Sequence, residues 1–219
     1  MGYIKWLGHA AFEILLDEKL IFVDPWITNP KSPIKMDDIN KADIVVVTHE
    51  HGDHLGEGIE IAKKFDATFV AVFEIAEKAR QQGVKNAVGT NIGGPVEIGN
   101  LLMYFVPAFH TGNPTGVVIK GKEKTIYHAG DTGVFGDMAL IREIYAPEIV
   151  MLPIGGHFTM GPVEAAKAVE LLKPEIAIPM HYGTFPVLTG DPNEFKKLVE
   201  EKGLDTKVII LKPGEKLDF

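Results

Sequence analysis

The feature that most limits what this chain can fold into is a run of ligand-type side chains directly after a β-branched segment. Residues 43–48 read DIVVVT, a continuous run that predicts a strand covered on both faces. Residues 49–54 read HEHGDH and hold three histidines and one aspartate. Because α/β proteins build their sites where the carboxyl ends of strands lead into helices, we interpret this loop as a metal-binding segment.

The spacing within this loop indicates how its side chains would share ions. His49 and His51 are two residues apart in an extended turn, so both can point to the same side. Gly52 permits a sharp turn, after which Asp53 and His54 face a neighbouring position. Imidazole nitrogens combined with a carboxylate suit zinc, manganese, iron or nickel better than calcium or magnesium. The loop therefore predicts transition-metal binding.

The remaining sequence alternates between strand-like and helix-like segments. Short apolar runs predict strands at 3–7, 10–16, 19–24, 43–48, 67–73, 101–108, 116–121, 124–130, 148–154, 175–180 and 207–211. Helices are predicted at 55–65, 74–83, 135–145, 162–172 and 192–202. We expect a turn at Asp17-Glu18 and an irregular loop at 25–33, which read PWITNPKSP.

Strand-rich stretches mixed with strand–helix units favour an α+β fold in which two mixed sheets pack face to face with helices outside, a four-layer αββα sandwich. The chain has 219 residues, of which 46% are hydrophobic. That is enough to bury a substantial core, and we expect a single domain over 1–219.

Composition excludes several classes of protein. The chain has no cysteine, so disulfides, thiolate metal sites and a cysteine nucleophile are excluded. No stretch has the roughly 18–20 uninterrupted apolar residues of a membrane-spanning helix. The first residues read as a strand rather than a signal peptide, so we expect a cytoplasmic protein without a membrane partner. Two glutamines among many Lys and Glu residues favour a thermophilic source.

The formal charge of −8 argues against broad nucleic-acid binding, which needs clustered basic residues. It leaves room for a small-molecule substrate with or without phosphate, because bound divalent metals reverse the local charge. A homo-oligomer is compatible with this composition.

The pattern His-x-His-x-Asp-His at 49–54 resembles the signature of the metallo-β-lactamase superfamily. Later motifs match it too, with His110 in PAFHTG, Asp131 in HAGDTG and His181 in IPMHYG. The resemblance implies two divalent metal ions, with zinc first and manganese, nickel or iron as alternatives. It implies three groups of ligands: His49, His51 and His110 for one ion, Asp53, His54 and His181 for the other, and Asp131 between them.

Within the superfamily, the chain is similar to a small family of metal-dependent hydrolases related to ascorbate-phosphate lactonases. The similarity rests on WLGHAAFEI, VDPW, HAGDTGVFGDM, PIGGHFTMGPVEA and PMHYGTFP. It implies hydrolysis of a small ester, lactone or phosphodiester by water activated between two ions, with Asp53 orienting that water and moving its proton. Two alternatives stay open: a nuclease acting on RNA or DNA, and a metal-binding protein without hydrolytic activity.

Sequence differences from other enzymes of the superfamily narrow the set of families that the chain resembles. Flavodiiron reductases carry Glu where this chain has His51, and they add a flavin domain. Glyoxalase II enzymes add a helical region for which the residues after His181 leave little room. The tRNA 3′-processing nucleases carry a basic arm that has no counterpart here. The common antibiotic-cleaving enzymes use a cysteine ligand, which this chain lacks.

Three histidines and several other residues lie outside the ligand set. We predict catalytic roles for His9, at the mouth of the centre, and for His157, as a donor to a developing oxyanion. His128 is predicted to be a buried, hydrogen-bonded residue. Asp24 either accepts a hydrogen bond from a ligand histidine or caps a turn. Candidate pocket walls, each of which could equally be core, are Trp26, Phe158, Met160, Tyr182 and Phe185.

Overall fold

Two seven-stranded sheets form the framework in the computed structural model, which describes residues 1–219. The first sheet has the order β14-β1-β2-β3-β4-β5-β6 and contains β1 (Tyr3–Trp6), β2 (Phe12–Leu16), β3 (Lys19–Val23), β4 (Ile44–Val46), β5 (Thr68–Val72), β6 (Ala87–Thr90) and β14 (Lys216–Asp218). The second has the order β13-β12-β11-β10-β9-β8-β7 and contains β7 (Pro95–Ile98), β8 (Leu101–Pro107), β9 (Thr115–Lys120), β10 (Thr125–His128), β11 (Ile149–Pro153), β12 (Ile176–Met180) and β13 (Lys207–Val208).

Each sheet is antiparallel in one part and parallel in the other. Strands β1 to β3 pair antiparallel, whereas β3 to β6 run parallel. In the second sheet β7 to β10 are antiparallel and β10 to β13 are parallel. Parallel neighbours need crossover connections, and the helices lie there. They are α1 (Gly52–Leu55), α2 (Gly58–Phe65), α3 (Phe73–Gln81), α4 (Met138–Tyr145), α5 (Pro162–Leu172) and α6 (Pro192–Glu201).

The core divides according to the alternation of side chains along the strands. In β11, Ile149 and Met151 belong to the larger cluster, which also holds the residues of the first sheet. Val150 and Leu152, on the opposite face, pack with apolar residues of α4, α5 and α6. Successive residues of a strand point to opposite faces, so this sheet is covered by the other sheet on one side and by helices on the other. The predicted four-layer αββα fold is confirmed.

Two of the local predictions are confirmed in detail. Asp17 and Glu18 both have positive φ, at 48° and 68°, and join β2 to β3 in a tight hairpin in which Leu16 pairs with Lys19. Residues 25–33 form neither a helix nor a strand. None of the six helices combines the length and apolar character needed to cross a membrane.

The predicted helix at 55–65 is wrong in one respect, because it is interrupted after Leu55. Gly56 has a φ of 44°, and a side chain there would collide with the backbone of Trp26. The interruption turns Glu57 towards the Pro-rich loop, where its carboxylate accepts hydrogen bonds from the backbone of Ile27 (2.6 Å) and from the Thr28 hydroxyl (2.8 Å). The break therefore ties the start of α2 to that loop.

Strands β6, β7 and β14 are missing from the sequence prediction. They are edge strands of three or four residues, and most of their side chains are at least partly exposed. Without a fully buried face they lack the apolar run or alternation that marks a strand in sequence. The last predicted strand is also shorter than expected, since only 207–208 pair with β12.

Candidate metal centre

The predicted ligands follow the carboxyl ends of four strands, one in the first sheet and three in the second. The HEHGDH loop follows β4, His110 follows β8, Asp131 follows β10 and His181 follows β12. The two sheets face each other, so these strand ends place their loops at one edge of the sandwich. All seven predicted ligands lie in two adjoining groups of His and Asp side chains.

The first group, called here the three-histidine cluster, consists of His49, His51, His110 and Asp131. Its nitrogens converge closely, because Nδ1 of His51 lies 3.1 Å from Nε2 of His49 and 3.2 Å from Nε2 of His110. Asp131 Oδ2 lies 3.5 Å from the His110 nitrogen. These atoms belong to side chains from three separate loops.

The spacing of these nitrogens fits a transition metal. Ligand nitrogens at 2.0–2.1 Å from a tetrahedral zinc ion are separated by roughly 3.3 Å. The observed separations of 3.1 and 3.2 Å match that edge length. His51 Nδ1 either donates one proton or accepts through one lone pair, so hydrogen bonding does not account for both of its short contacts.

The second group, called here the mixed cluster, consists of His9, Asp53, His54 and His181. Asp131 adjoins it as well, because its Oδ1 lies 3.2 Å from His54 Nε2 and its Oδ2 lies 3.1 Å from His181 Nε2. The Asp131 carboxylate therefore contacts histidines of both clusters.

Several buried polar atoms of this centre have no hydrogen-bond partner. They are His54 Nε2, Asp131 Oδ1 and both ring nitrogens of His181. Buried polar atoms are normally paired, and a site for a bound ion is one of the recognised explanations when they have no protein partner. These orphaned atoms and the chemistry of the donors fit a divalent transition metal in each cluster.

Asp24 anchors the mixed cluster from behind. Its fully buried carboxylate accepts hydrogen bonds from His54 Nδ1 (2.7 Å), from Thr48 N (2.8 Å) and from Thr48 Oγ1 (2.6 Å). The carboxylate therefore holds a predicted ligand histidine, the first of the two alternatives given by the sequence. The His54 contact fixes its ring and leaves Nε2 directed at Asp131.

Burial and the neighbouring charges decide which groups of the centre are ionised. Burial opposes the charge on Asp131, but His54 and His181 hold the pKa of Asp131 well below its usual value. Burial likewise opposes a charge on His54, yet Asp131 and Asp24 raise its pKa well above the ordinary value. Burial and the charge of His54 lower the pKa of His49 to about 3. The carboxylates are thus ionised, and a metal binding to His54 would have to displace a proton.

His9 lies inside the mixed cluster. Its Nε2 is 3.0 Å from Asp53 Oδ2, its Nδ1 is 2.6 Å from Thr184 Oγ1, and its ring centroid is 3.9 Å from that of His181. Burial lowers the pKa of His9 to about 4, although its hydrogen bond to Asp53 acts in the opposite direction. Neutral His9 therefore donates from Nε2 to Asp53 and accepts from the Thr184 hydroxyl. Sequence reasoning missed Thr184, whose only signal was its position three residues after His181.

The remaining two histidines lie apart from the ligand clusters. His128 is buried, donates from Nε2 to Ala10 O (2.9 Å) and accepts at Nδ1 from Gly130 N (3.1 Å), as expected for a hydrogen-bonded core residue. His157 is exposed, and its ring packs edge-on against Phe158 at 4.4 Å. The structure gives His157 no contact with either cluster, so its catalytic role stays a prediction.

Three of the loops that build or support the centre hold unusual backbone conformations. His9, Asp24 and His181 have φ values of 53°, 46° and 57°, in the left-handed region that few non-glycine residues adopt. Each is fully or almost fully buried. Packing and hydrogen bonds around them hold these conformations in place.

A cavity of about 270 Å³ opens onto both clusters and is lined by His51, Asp53, His110, Thr111, Asp131, Phe158, His181 and Phe185. Of the five predicted wall residues, Phe158 and Phe185 line it. Trp26 stacks on Phe185 at 5.8 Å, Tyr182 stacks on Trp6 at 5.3 Å, and Met160 is buried in the core. A larger surface depression beside α4, of about 620 Å³, contains none of the ligand residues.

Comparison with known proteins places this centre among metallohydrolases. Residues 19–182 match the model of the beta-lactamase superfamily domain. The chain is 53% identical to a UPF0173 metal-dependent hydrolase of Hyperthermus butylicus, and 56% identical to one of Staphylothermus marinus. Both matches cover 100% of this chain and 100% of the relative.

Solved structures agree with this result. A metallo hydrolase from the hyperthermophilic archaeon Ignicoccus hospitalis is 42% identical, with a TM-score of 0.93 over 100% of this chain and 99% of that chain. An isothiocyanate hydrolase from Delia radicum gut bacteria has a TM-score of 0.79 at 20% identity, over 99% of this chain and 98% of that chain. At this lower identity the likeness concerns the fold alone.

Proposed function

Since the chain belongs to the beta-lactamase superfamily and to its UPF0173 metal-dependent hydrolases, we propose that it hydrolyses a small ester, lactone or phosphodiester with the help of two metal ions. The observation that carries this proposal is the position of Asp131. Its two oxygens lie within 3.2 Å of histidine nitrogens in the mixed cluster, and Oδ2 also lies 3.5 Å from His110. One carboxylate between two sets of donors supports a pair of neighbouring ions.

The proposed ligands divide between the two clusters. His49, His51 and His110 would hold one ion, Asp53, His54 and His181 would hold the other, and Asp131 would contact both. Zinc suits these donors best, and manganese, nickel or iron are accepted by the same set. When bound, the ions would lower the pKa of a water and polarise the bond under attack.

Asp53 is the proposed general base. It lines the cavity, and its side chain keeps partial exposure, so it can reach a water there. Burial opposes its charge, but the hydrogen bond from His9 and the charge of His54 hold its pKa below the ordinary value. It is therefore ionised at neutral pH, able to orient a water and to take its proton.

His9 is proposed to act through Asp53. The chain of contacts from Thr184 Oγ1 to His9 Nδ1, and from His9 Nε2 to Asp53 Oδ2, fixes the rotation of the carboxylate. With one oxygen held by His9, the carboxylate presents a fixed orientation towards the cavity. We expect this to matter more for turnover than for metal binding.

Metal analysis combined with an activity panel tests this function. The purified chain should hold close to two equivalents of transition metal and hydrolyse members of a panel of esters, lactones and phosphodiesters. Asp53→Ala and His181→Ala should abolish turnover, whereas Asp66→Asn, an exposed carboxylate at the end of α2, should leave it unchanged. Wild-type turnover in either cluster variant would disprove the assignment.

A silent panel with both ions bound would instead favour a metal-binding protein without hydrolytic activity. His157→Asn belongs in the same experiment. A loss of turnover in that variant with unchanged metal content would support the predicted catalytic role of this exposed histidine, and normal turnover would remove it.

A further inference from the structure

Aromatic rings near the mouth of the metal centre remain exposed to solvent. Phe109, which directly precedes His110, is 64% exposed, and Phe158, which lines the cavity, is 53% exposed. Single exposed apolar residues are common on protein surfaces, but a group of them beside a site marks a binding surface. These rings contribute little to the core, so folding alone does not account for them.

The rings lie on separate loops and are supported by neighbouring side chains. Phe185 lines the cavity, stacks on Trp26 at 5.8 Å and meets the His9 ring edge-on at 5.5 Å. Phe109 packs against Phe135 at 5.1 Å. We call Trp26, Phe109, Phe158 and Phe185 the aromatic rim. Phe158 and Phe185 line the cavity, Trp26 supports Phe185, and Phe109 directly precedes the predicted ligand His110.

Neither lysine nor arginine lines the cavity. Its lining consists of histidines, the carboxylates Asp53 and Asp131, a threonine and two phenylalanines. Lys31, on the Pro-rich loop, donates to Tyr182 O at 3.2 Å and lies over the Tyr182 ring rather than in the cavity. Sites for phosphorylated substrates usually supply Arg or Lys for the charged oxygens. In this cavity, an anionic substituent away from the reacting bond would therefore meet neither an arginine nor a lysine.

We propose that the aromatic rim binds an uncharged, apolar group next to the bond that is cleaved. The substrate class is then a neutral ester or lactone with an aryl or alkyl substituent, rather than a phosphorylated metabolite. This inference rests on the proposed hydrolytic function and narrows it to one chemical class.

The test compares methyl esters that differ only in their acyl group, with the metal-loaded chain and with acid release followed in a pH-stat. The expected order of kcat/KM is methyl 4-phenylbutyrate above methyl acetate by about tenfold or more, with the anionic monomethyl glutarate no better than acetate. Phe158→Ala and Phe185→Ala should lower the ratio of kcat/KM for phenylbutyrate to kcat/KM for acetate by about tenfold. Phe73→Ala, with a ring that is 61% exposed at the start of α3, is the matched control and should change neither.

The outcomes separate this inference from the proposed function. Turnover without preference for the phenyl ester, or with preference for the anionic ester, would overturn the inference. The proposed hydrolytic function would remain supported. If none of the esters is cleaved, binding of the unreactive amide N-methyl-4-phenylbutyramide, measured by calorimetry, decides. Weaker amide binding in Phe158→Ala, together with unchanged binding in Phe73→Ala, would support the proposed role of the aromatic rim. Absent binding, or binding equal in both variants, would overturn it.

Discussion

The three-histidine cluster and the mixed cluster are positioned by different means. His49 and His51 come from one extended stretch of chain, and their spacing alone brings two nitrogens together. In the mixed cluster, fully buried His54 is held from behind by Asp24, and His9 is held by Thr184. Two donors of the first cluster are therefore placed by local sequence, whereas the mixed cluster relies on hydrogen bonds between distant segments.

The exposure of the histidine side chains also differs between the two clusters. His51 and His110 keep part of their surface open, whereas His54 and His181 are almost fully buried. The cavity is nevertheless lined from both clusters, by His51 and His110 of the first and by Asp53 and His181 of the second. An ion held by His51 and His110 would therefore have more exposed ligands than one held by His54 and His181.

The largest effect is expected at Asp131, which the two clusters share. Asp131→Asn keeps the size of the side chain but removes its charge, so both ions lose a ligand. We expect turnover to fall by about a thousandfold and metal content to fall from near two equivalents to one or fewer. Elemental analysis and kinetics on the same preparation measure both values, and two tightly held equivalents in this variant would show that Asp131 does not bridge the clusters.

Asp24 should distinguish the clusters, because its carboxylate bonds directly to His54 but reaches His49 only through the Thr48 hydroxyl. In Asp24→Asn, one equivalent of metal should bind about 10- to 100-fold more weakly and the other should change less. Competition with a chelator resolves the two affinities, and a thermal melt verifies folding. Equal weakening of both equivalents would mean that the clusters behave as one unit.

Thr184 should have a smaller effect than either carboxylate. Thr184→Val preserves shape and removes the hydroxyl that orients His9, so we expect kcat to fall by about three- to tenfold with metal content unchanged. Thr206→Val removes a buried hydroxyl bond to Pro174 O far from the centre and is the matched control. A loss of metal in the Thr184 variant would reassign His9 from positioning Asp53 to binding an ion.

The smallest effect concerns the pH dependence of stability in the metal-free chain. Because burial lowers the pKa of His9 from 6.5 to about 4, the unfolded chain binds more protons at His9 between these values. The contribution of neutral His9 to stability is present above pH 6.5 and is lost as pH falls towards 4. His9→Gln should therefore reduce the slope of unfolding free energy against pH in this window, measured by denaturant titration, and an unchanged slope would contradict the low pKa.

The same contrast explains how much could be predicted from the sequence. The HEHGDH loop is visible because all its donors lie within six residues after a buried strand. His110, Asp131 and His181 were predicted because each stands in a motif that resembles a known family and follows a strand. The supports of the mixed cluster were harder to find, since His9 and Thr184 are 175 residues apart and pair only through folding.

The fold, too, was predicted only where a short stretch of sequence carries a clear pattern. Central strands such as β4 and β11 were identified because both of their faces are buried, which produces a continuous apolar run. The edge strands β6, β7 and β14 were missed because exposed faces leave no such pattern. The interruption at Gly56 was missed as well, since its cause is the backbone of Trp26, 30 residues earlier in the chain.

The left-handed backbone at His9, Asp24 and His181 sets stability against function. A non-glycine residue in this region costs about 1 kcal/mol or more, and glycine would adopt it without steric conflict. Asp24→Gly or His181→Gly would relax the backbone but delete a group on which the centre depends. Selection for heat resistance alone would therefore favour replacements at these positions that inactivate the protein. A thermostability screen must for this reason also measure metal binding or turnover.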